Sequence, residues 1–309
     1  MIKYIIKRLL LLIPVMLGVS LAVFTLLHFS NGDPARASLG QNASEEAVQA
    51  ERERLGLNDP FFVQYGHYLE NIVFHFDLGE SYRSHKPVTK EILDAAPATF
   101  KLASLAVTLA VIVGVPIGIV SAIRQYSFFD NIMMIFALIG ISMPVFWLGL
   151  LLIIFFSVQL GWLPSSGFTH FNQMILPSIA LGAQSIAVIT RMTRSNMLEV
   201  IHKDYIRTAE AKGQKRGVII WKHALGNALI PIITIIGIQF GQLLGGALMT
   251  EVIFSIPGIG RLMVDAIKAR DIPIVLGGVL FVAVAFACVN LIVDLLYAFV
   301  DPRIKSQYT

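Results

Sequence analysis

The residues best suited to chemistry lie between the first and second apolar segments of the chain. Three histidines, His67, His75 and His85, are accompanied there by Asp77 and Glu80, and imidazole with carboxylate is a ligand set that Zn²⁺ uses in proteins. Their spacing matches no pattern in which ligands recur at short fixed intervals. We therefore expect ordinary surface histidines here and no metal centre.

Motifs for catalysis or nucleotide binding do not occur in the printed sequence. It contains no GxxxxGK[ST], which would cradle the phosphates of ATP, and no HExxH, CxxC or GxSxG. The single cysteine, Cys288, lies in an apolar run, so an internal disulfide is excluded. We expect a chain that is not an enzyme, binds no cofactor of its own and has no nucleic-acid partner.

Composition places the chain in the lipid bilayer. Of its 309 residues, 56% are hydrophobic and 14% are charged, whereas soluble domains carry about 25% charged residues. Six apolar segments approach or exceed the ~20 residues that span a bilayer as a helix. We predict an all-α integral membrane protein with about six transmembrane helices. The segments are Leu9–Phe29, Thr99–Ile123, Ile132–Leu160, Ile175–Ile189, Leu229–Met249 and Ile274–Val300.

These spans divide the chain into a transmembrane helix at 1–30, an extracytoplasmic segment at 31–98, a transmembrane core at 99–300 and a tail at 301–309. Fourteen basic residues fall on one side: three at the N-terminus, Arg124 between the second and third segments, eight in the long connection at 191–228 and two in the tail. Positive residues favour the cytoplasmic side. We therefore expect both termini and the 191–228 loop in the cytoplasm.

The extracytoplasmic segment carries two predicted helix starts. Ser44 is suited to cap a helix that Gly56 ends, and Asp59 is suited to cap a second helix with Pro60 at its first position. The second helix would present one apolar face to the membrane helices or the interface. Its aromatic residues are Phe61, Phe62, Tyr65, Tyr68 and Phe74.

Charge inside the apolar spans is scarce. Asp294, with Asn290 one turn earlier, is the acidic residue that lies within such a span; it suits either a polar contact between helices or a role in transport. Ion-coupled carriers place ionisable groups at the bilayer midplane. Such a carrier is the alternative of another class, and a membrane scaffold without transport is a third.

The polar stretch from Ser195 to Pro231 is the most informative part of the chain. Four-residue spacing predicts a helix that Gly213 ends, followed by a second helical piece. This pair suits an amphipathic helix on the lipid surface and equally a docking surface for a soluble partner. The residues at four-residue spacing are Met197, Ile201, Tyr205 and Ala209.

The sequence DYIRTAEAKG at 204–213, followed by KHALGNALIPIIT, resembles the EAA---G signature of bacterial ABC importer permeases in its dipeptide/oligopeptide/nickel variant. Arg207 stands where Glu is usual, Thr208 where Ala is usual, and His223-Ala-Leu-Gly where I-x-L-P is usual. The resemblance runs nearly end to end. It also includes GDPAR at 32–36, LGLNDPFFVQY at 55–65, DLGESYRSHKPV at 77–88, TEVIFSIPGIGRLMVDAI at 250–267 and DPRI at 301–304.

The resemblance implies a type I importer permease of the bacterial cytoplasmic membrane, the first permease subunit of the dipeptide kind. It implies a heterodimer with a second permease, two ATPase subunits that bind ATP and Mg²⁺, and an extracytoplasmic binding protein that delivers short peptides. Glutathione and nickel complexes are the alternative cargoes.

The same resemblance assigns candidate sites. The loop would contact the ATPases, and the third and fifth spans would line the pathway. Pro144 is expected to interrupt the third span, and the two glutamines of the fifth would offer amides to a peptide. The coupling residues are Asp204, Tyr205, Arg207, Thr208, Ala209, Glu210, Gly213 and His223. The pathway or gate residues are Ser142, Met143, Pro144, Phe146, Gln239, Gln242 and Glu251.

Overall fold

The computed structural model describes residues 2–29, 33–40 and 43–300; within the terminal helices, the side chains of 2–5, 7–9, 294 and 296–300 are not described. The regular secondary structure of the described part is helical, apart from one isolated backbone bridge between Glu80 and Pro87. Its helices are α1 (Ile2–His28), α2 (Pro34–Leu39), α3 (Glu45–Arg54), α4 (Phe61–His75), α5 (Val88–Ile123), α6 (Phe128–Ser142), α7 (Val145–Leu152, continued as a π-helix over Ile153–Gln159), α8 (Phe171–Ile201), α9 (Asp204–Ala211), α10 (Arg216–Val218, followed by a π-helix over Ile219–Ala224), α11 (Leu225–Ile253), α12 (Ile259–Ala269) and α13 (Ile272–Val300).

Among these residues, five helices are long and apolar enough to cross a membrane, and α6 with α7 makes a sixth span if the bent pair is counted as one. This confirms an all-α membrane protein with about six spans. Two apolar runs are shorter than the helices that contain them. α5 begins at Val88, eleven residues before the second run, and α8 (Phe171–Ile201) continues into the polar flanks at both ends of the fourth run.

The bundle is built around α8, which packs most extensively against α5. Of the apolar window of α8, 61% is buried within the chain, against 11% for α1. Small side chains on α5, among them Ala103 and Ala106, are fully buried at the centre of the largest core cluster. α1 instead lies at the periphery, against α13.

The chain direction gives the bundle two distinct ends. We call the end that carries α9 the loop end, and the end that carries residues 33–87 the segment end. α1, α6 and α11 start at the loop end, whereas α5, α8 and α13 finish there. α12 lies at the segment end, between α11 and α13.

The segment at 33–87 contains both predicted helix starts, one of them displaced. Ser44 caps α3, with its hydroxyl accepting from Ala47 N at 3.3 Å, as expected. α4 starts at Phe61, so Pro60 is its cap residue and not its first helical residue; the expected side-chain cap from Asp59 is not formed. Pro60 can occupy the cap position because its backbone is extended, with φ −56° and ψ 145°, as is typical of the residue that precedes a helix.

The aromatic face predicted for α4 is only partly correct. Phe61, Tyr65 and Tyr68 pack around Phe24 of α1, with ring centroids 5.3 to 6.2 Å apart. The other two aromatic side chains, Phe62 and Phe74, are at least three-quarters exposed. Three of the five aromatics therefore hold α4 against α1.

A second attachment joins the segment to the last helix. Asp271, just before α13, is 3% exposed and accepts hydrogen bonds from the Ser81 hydroxyl and from the backbone N–H of Tyr82 and Arg83. Burial, together with the nearby Asp271 carboxylate, raises the pKa of Tyr82 to about 12. The phenol therefore stays neutral at ordinary pH.

Candidate functional site

The loop-end helix α9 has one buried and one exposed side. Ile206 is 1% exposed and Ala209 is 8% exposed, and both pack into a cluster with residues of α5, α8 and α11. The predicted single helix through Met197, Ile201, Tyr205 and Ala209 is wrong. Met197 lies within α8, and the chain turns at His202 and Lys203 before α9 begins.

Most of the predicted coupling residues share the exposed side of α9. Asp204, Tyr205, Arg207, Thr208 and Glu210 are all exposed, with Tyr205 at 43%. Ala209 departs from the prediction, because its close approach is to the chain's own helices. His223 is half-buried and belongs to the π-helix, not to α9.

Gly213 ends α9 with a positive φ of +73°. Its N–H donates to the carbonyl of Glu210 at 2.9 Å, and Gln214 N donates to the carbonyl of Ala209 at 3.2 Å. These two bonds form a Schellman motif with Gly213 at C′. A Cβ at this position would have no heavy atom within 4 Å, so the backbone conformation, not space, requires glycine.

An ion pair with a buried carboxylate fixes the loop end, and the residue pattern did not predict it. Asp130 of α6 is 1% exposed and accepts from Arg194 Nε and Nη2 of α8, each at 2.7 Å. Tyr126 N also donates to this carboxylate, at 3.0 Å. A bidentate pair of this kind sets the position of two helices relative to each other. The sequence does contain a signal for this pair, because Asp130 is an acidic residue directly beside the apolar run of the third span.

The predicted interruption of the third span is confirmed. α6 ends at Ser142, α7 starts at Val145, and the two helix axes differ by 106°. Met143 and Pro144 connect them, since Pro cannot continue the hydrogen-bonding of a helix. Phe146 is 48% exposed beside this bend, and a cavity of about 640 Å³ lies along it.

The two glutamines predicted for the pathway differ in exposure. Gln242 is exposed on α11. Gln239 is 6% exposed; its Oε1 accepts from the Ser185 hydroxyl of α8 at 2.8 Å, and its Nε2 donates to Gln242 Oε1 at 2.9 Å. Gln239 is therefore a link between α8 and α11 and not an exposed lining residue.

Glu251, predicted as a gate residue, is fully buried. Its carboxylate accepts from the Thr99 hydroxyl of α5 at 2.6 Å and from Arg261 N of α12 at 3.0 Å, while Ile259 N donates to Thr99 Oγ1 at 2.9 Å. A Cβ at Gly258 would overlap this carboxylate. We call this group of Thr99, Glu251 and the first turn of α12 the segment-end staple, since it joins α5, α11 and α12.

The remaining predicted residues of chemical interest stay apart. His67, His75 and His85 are all exposed. Among the residues that the structure describes, no group of three or more His, Cys, Asp or Glu side chains is placed to hold a metal ion. The side chain of Asp294, predicted as a polar contact or a transport residue, lies outside the described residues.

Comparison with known proteins identifies relatives along the whole chain. Residues 114–306 match the family described as binding-protein-dependent transport system inner membrane component, and residues 1–103 match the N-terminal family of the same systems. The dipeptide transport system permease protein DppB of Alkalihalophilus pseudofirmus is 47% identical, covering 99% of this chain and 100% of the relative. The glutathione transport system permease protein GsiC of Pectobacterium atrosepticum is 45% identical, with the same coverage.

Solved structures support the fold. The MetNI methionine ABC transporter, in an inward-facing conformation, superposes with a TM-score of 0.56 at 18% identity and covers 69% of this chain and 97% of its own. An amino acid ABC transporter gives a TM-score of 0.54, covering 68% of this chain and 94% of its own.

Proposed function

The chain belongs to the family of binding-protein-dependent transport system inner membrane components, and from this membership we propose that it imports short peptides as one permease subunit of an ATP-driven transporter. The similarity to a dipeptide permease at 47% identity over essentially the full length supports this cargo class. We propose a second permease, two ATPase subunits and an extracytoplasmic binding protein as its partners. ATP and Mg²⁺ would bind to the ATPases, because this sequence has no phosphate-binding loop.

The observation that carries the proposal is the two-sided packing of α9. Its exposed side offers Arg207 and Glu210 to a soluble partner, while its buried side is packed against the ends of α5, α8 and α11. A displacement of α9 would therefore move these spanning helices with it. An amphipathic helix lying on lipid would instead leave its apolar side facing the membrane, so the packing favours the docking surface.

We place the loop end in the cytoplasm and the segment end outside the cell. The fourteen basic residues that the sequence has at the N-terminus, at Arg124, in the 191–228 loop and in the tail support this orientation. With it, movement of α9 at the cytoplasmic face would pass along α8, which Arg194 links to α6 and Gln239 links to α11. Rocking of one half of the transporter against the other would then open the pathway alternately to each side.

The bent region between α6 and α7 and the exposed face around Gln242 are the pathway surfaces we propose. Ser142, Pro144 and Phe146 lie on one accessible surface, and an exposed amide suits a peptide backbone without a fixed charge. Glu251 serves this pathway indirectly, because the segment-end staple holds α12 against α5 and α11.

Glutathione is the second candidate cargo, favoured by the 45% identity to a glutathione permease. Competition distinguishes the two cargoes. Unlabelled glutathione would suppress uptake of a labelled dipeptide only if both are accepted by the same assembly.

The test is ATP-driven uptake into proteoliposomes that contain this chain, its partner permease, both ATPases and the binding protein. Arg207→Glu reverses a charge on the exposed side of α9, whereas the matched Lys215→Glu does so just beyond α9. We expect about tenfold lower uptake for Arg207→Glu, equivalent to ~1.4 kcal/mol of lost contact, and little change for Lys215→Glu.

Two outcomes would contradict the proposal. One is equal uptake by both variants, which would remove the exposed side of α9 from energy coupling. The other is peptide uptake driven by an ion gradient without ATP, which would identify a secondary carrier.

A further inference from the structure

One side of α5 is polar although the rest of the chain leaves it uncovered. Asp94, Lys101, Ser104 and Thr108 are all exposed, and their spacing places them on the same side of the helix. We call these four residues the α5 polar stripe. Within the described part of the chain, none of the four side chains takes part in a hydrogen bond or an ion pair. Their polar groups therefore remain for a partner outside the chain.

The α5 polar stripe does not have the composition of a lipid-facing surface. On the peripheral helix α1, the exposed side chains between residues 10 and 27 are all apolar. The second half of α5 is similar, with Ile112 65% exposed on the same side as the stripe. Lys101, however, lies inside the apolar run that begins at Thr99. Ionisable residues within spans face the bundle interior or a water-filled cavity, so the stripe indicates an aqueous surface.

The ammonium group of Lys101 is held against the bundle. Its Nζ lies 5.6 Å from the ring centroid of Phe168, within the range of a cation–π interaction. Phe168 is 9% exposed and belongs to the largest core cluster. A lysine near the end of a span can instead extend to the lipid headgroups, but this one is folded onto the ring. Because no oxygen of the described chain accepts from the ammonium, it can pair with a carboxylate of a ligand.

The α5 polar stripe reaches the depth of the exposed glutamine of α11. The hydrogen bond between Thr99 and Glu251 sets the relative level of α5 and α11, which run in opposite directions. Nine residues further toward the loop end on each helix are Thr108 and Gln242, so these two lie at about the same depth. The stripe therefore extends from the segment end to the level of the proposed pathway surface around Gln242.

The two charges of the stripe match the two ends of a short peptide. Asp94 and Lys101 are seven residues apart, which is about 10 Å along a helix. A peptide of two or three residues extends over at most about 7–11 Å. At neutral pH it has an ammonium at one end and a carboxylate at the other. The flexible stem of the lysine covers the remaining difference for a dipeptide.

We propose that the α5 polar stripe binds the peptide in the pathway, with Asp94 pairing with its ammonium end and Lys101 with its carboxylate end. This inference rests on the proposed import of short peptides and adds the residues that recognise the two termini. Since Asp94 lies nearer the segment end, the bound peptide has its amino end toward that side. A contact with the second permease is the alternative that the experiment separates.

The test is ATP-driven uptake into proteoliposomes that contain the full transporter. The substrates are the dipeptide alanylalanine and its C-terminal amide, which lacks the terminal carboxylate, each loaded onto the binding protein. We expect the ratio of dipeptide uptake to amide uptake to be about tenfold higher in the wild type than in Lys101→Met. The binding protein is the same in every assay, so its own preference cancels when the two ratios are compared.

Three variants serve as matched comparisons. Lys101→Arg keeps the positive charge and should keep the wild-type ratio. Lys268→Met removes an exposed lysine of α12, outside the stripe, and should keep it as well. Asp94→Asn should leave the preference for the carboxylate unchanged and lower the preference for the free over the N-acetylated dipeptide about tenfold.

An unchanged ratio in Lys101→Met would overturn the inference, while uptake by the wild type would leave the proposed import standing. Loss of the second permease from the purified Lys101→Met assembly would overturn it too, because the stripe would then be a contact between subunits. If the wild type takes up neither substrate with ATP, the proposed function fails and this inference fails with it.

Discussion

The end of α9 offers a test that separates backbone conformation from surface contact. At Gly213 the φ of +73° disfavours any residue with a Cβ, and a left-handed conformation costs a non-glycine residue about 1–2 kcal/mol. Asparagine adopts this conformation more readily than alanine or leucine. Within the chain, open space surrounds this position, so the backbone conformation alone should rank the variants. Transport should be highest in the wild type, lower with Gly213→Asn and lowest with Gly213→Ala, and Gly213→Leu should resemble Gly213→Ala.

A contact mechanism predicts a different order. If Gly213 were required because a partner subunit approaches closely, side-chain size would decide, and Ala would be better tolerated than Asn. The penalty of 1–2 kcal/mol corresponds to a roughly 5- to 30-fold shift in the population of the correctly ended helix. We therefore expect Gly213→Ala to lower the transport rate about 5- to 30-fold when the concentration of the ATPase subunits limits their binding.

The assay is initial uptake rate in proteoliposomes at equal amounts of inserted protein, with ATPase subunits titrated over a range of concentrations. If the loss is conformational, a high ATPase concentration should restore uptake. The ATPase binds the form in which α9 ends correctly and so increases the population of that form. Higher uptake with Gly213→Ala than with Gly213→Asn would refute the reasoning. Unimpaired uptake with Gly213→Leu would remove the loop from the mechanism.

Three further outcomes follow from contacts within the chain. Gly258→Ala places a methyl group against the staple carboxylate and should lower the melting temperature in detergent, whereas Gly245→Ala, in open space on α11, should not. Asp130→Asn leaves the partly buried guanidinium of Arg194 without its carboxylate and should cost about 1–3 kcal/mol of stability, measured by urea or thermal unfolding. The hydrogen bond from Arg54 lowers the pKa of Glu51 below its ordinary value of 4.5. The Glu51 carboxylate therefore stabilises the folded segment at pH values above 4.5, and this contribution is lost as the pH falls through the lowered pKa of the folded state. Glu51→Gln should remove this acid sensitivity, which is measured as the rate of proteolysis of the segment at a series of pH values. An unchanged acid profile in that variant would contradict the assignment.

Local chemistry made several elements predictable from the sequence. The apolar runs indicated the spans because a bilayer imposes a minimum length. Pro144 indicated the bend because its ring prevents continued helical bonding. Ser44 and Gly213 indicated helix ends because each satisfies a geometric requirement of a single turn.

Contacts between distant parts of the chain were not predictable in this way. Glu251 and Gln239 were interpreted as exposed pathway groups because their types suit transport, but each finds a partner on another helix. The pairing of Asp130 with Arg194 depends on which helices are neighbours, and periodicity within one segment does not contain that information. The start of α5 at Val88 was missed because its first turns are polar and cover a segment outside the apolar span.

The attachment of the segment to Asp271 has a consequence for synthesis on the ribosome. Ser81 and Asp271 are separated by 190 positions, which a ribosome adds in about 10–40 s at ~5–20 residues per second. During that interval the segment emerges and collapses with only its own helices and α1 as partners. Its final docking waits for insertion of the last helix, so a nascent chain halted before α13 should expose the 81–83 loop to quality-control proteases.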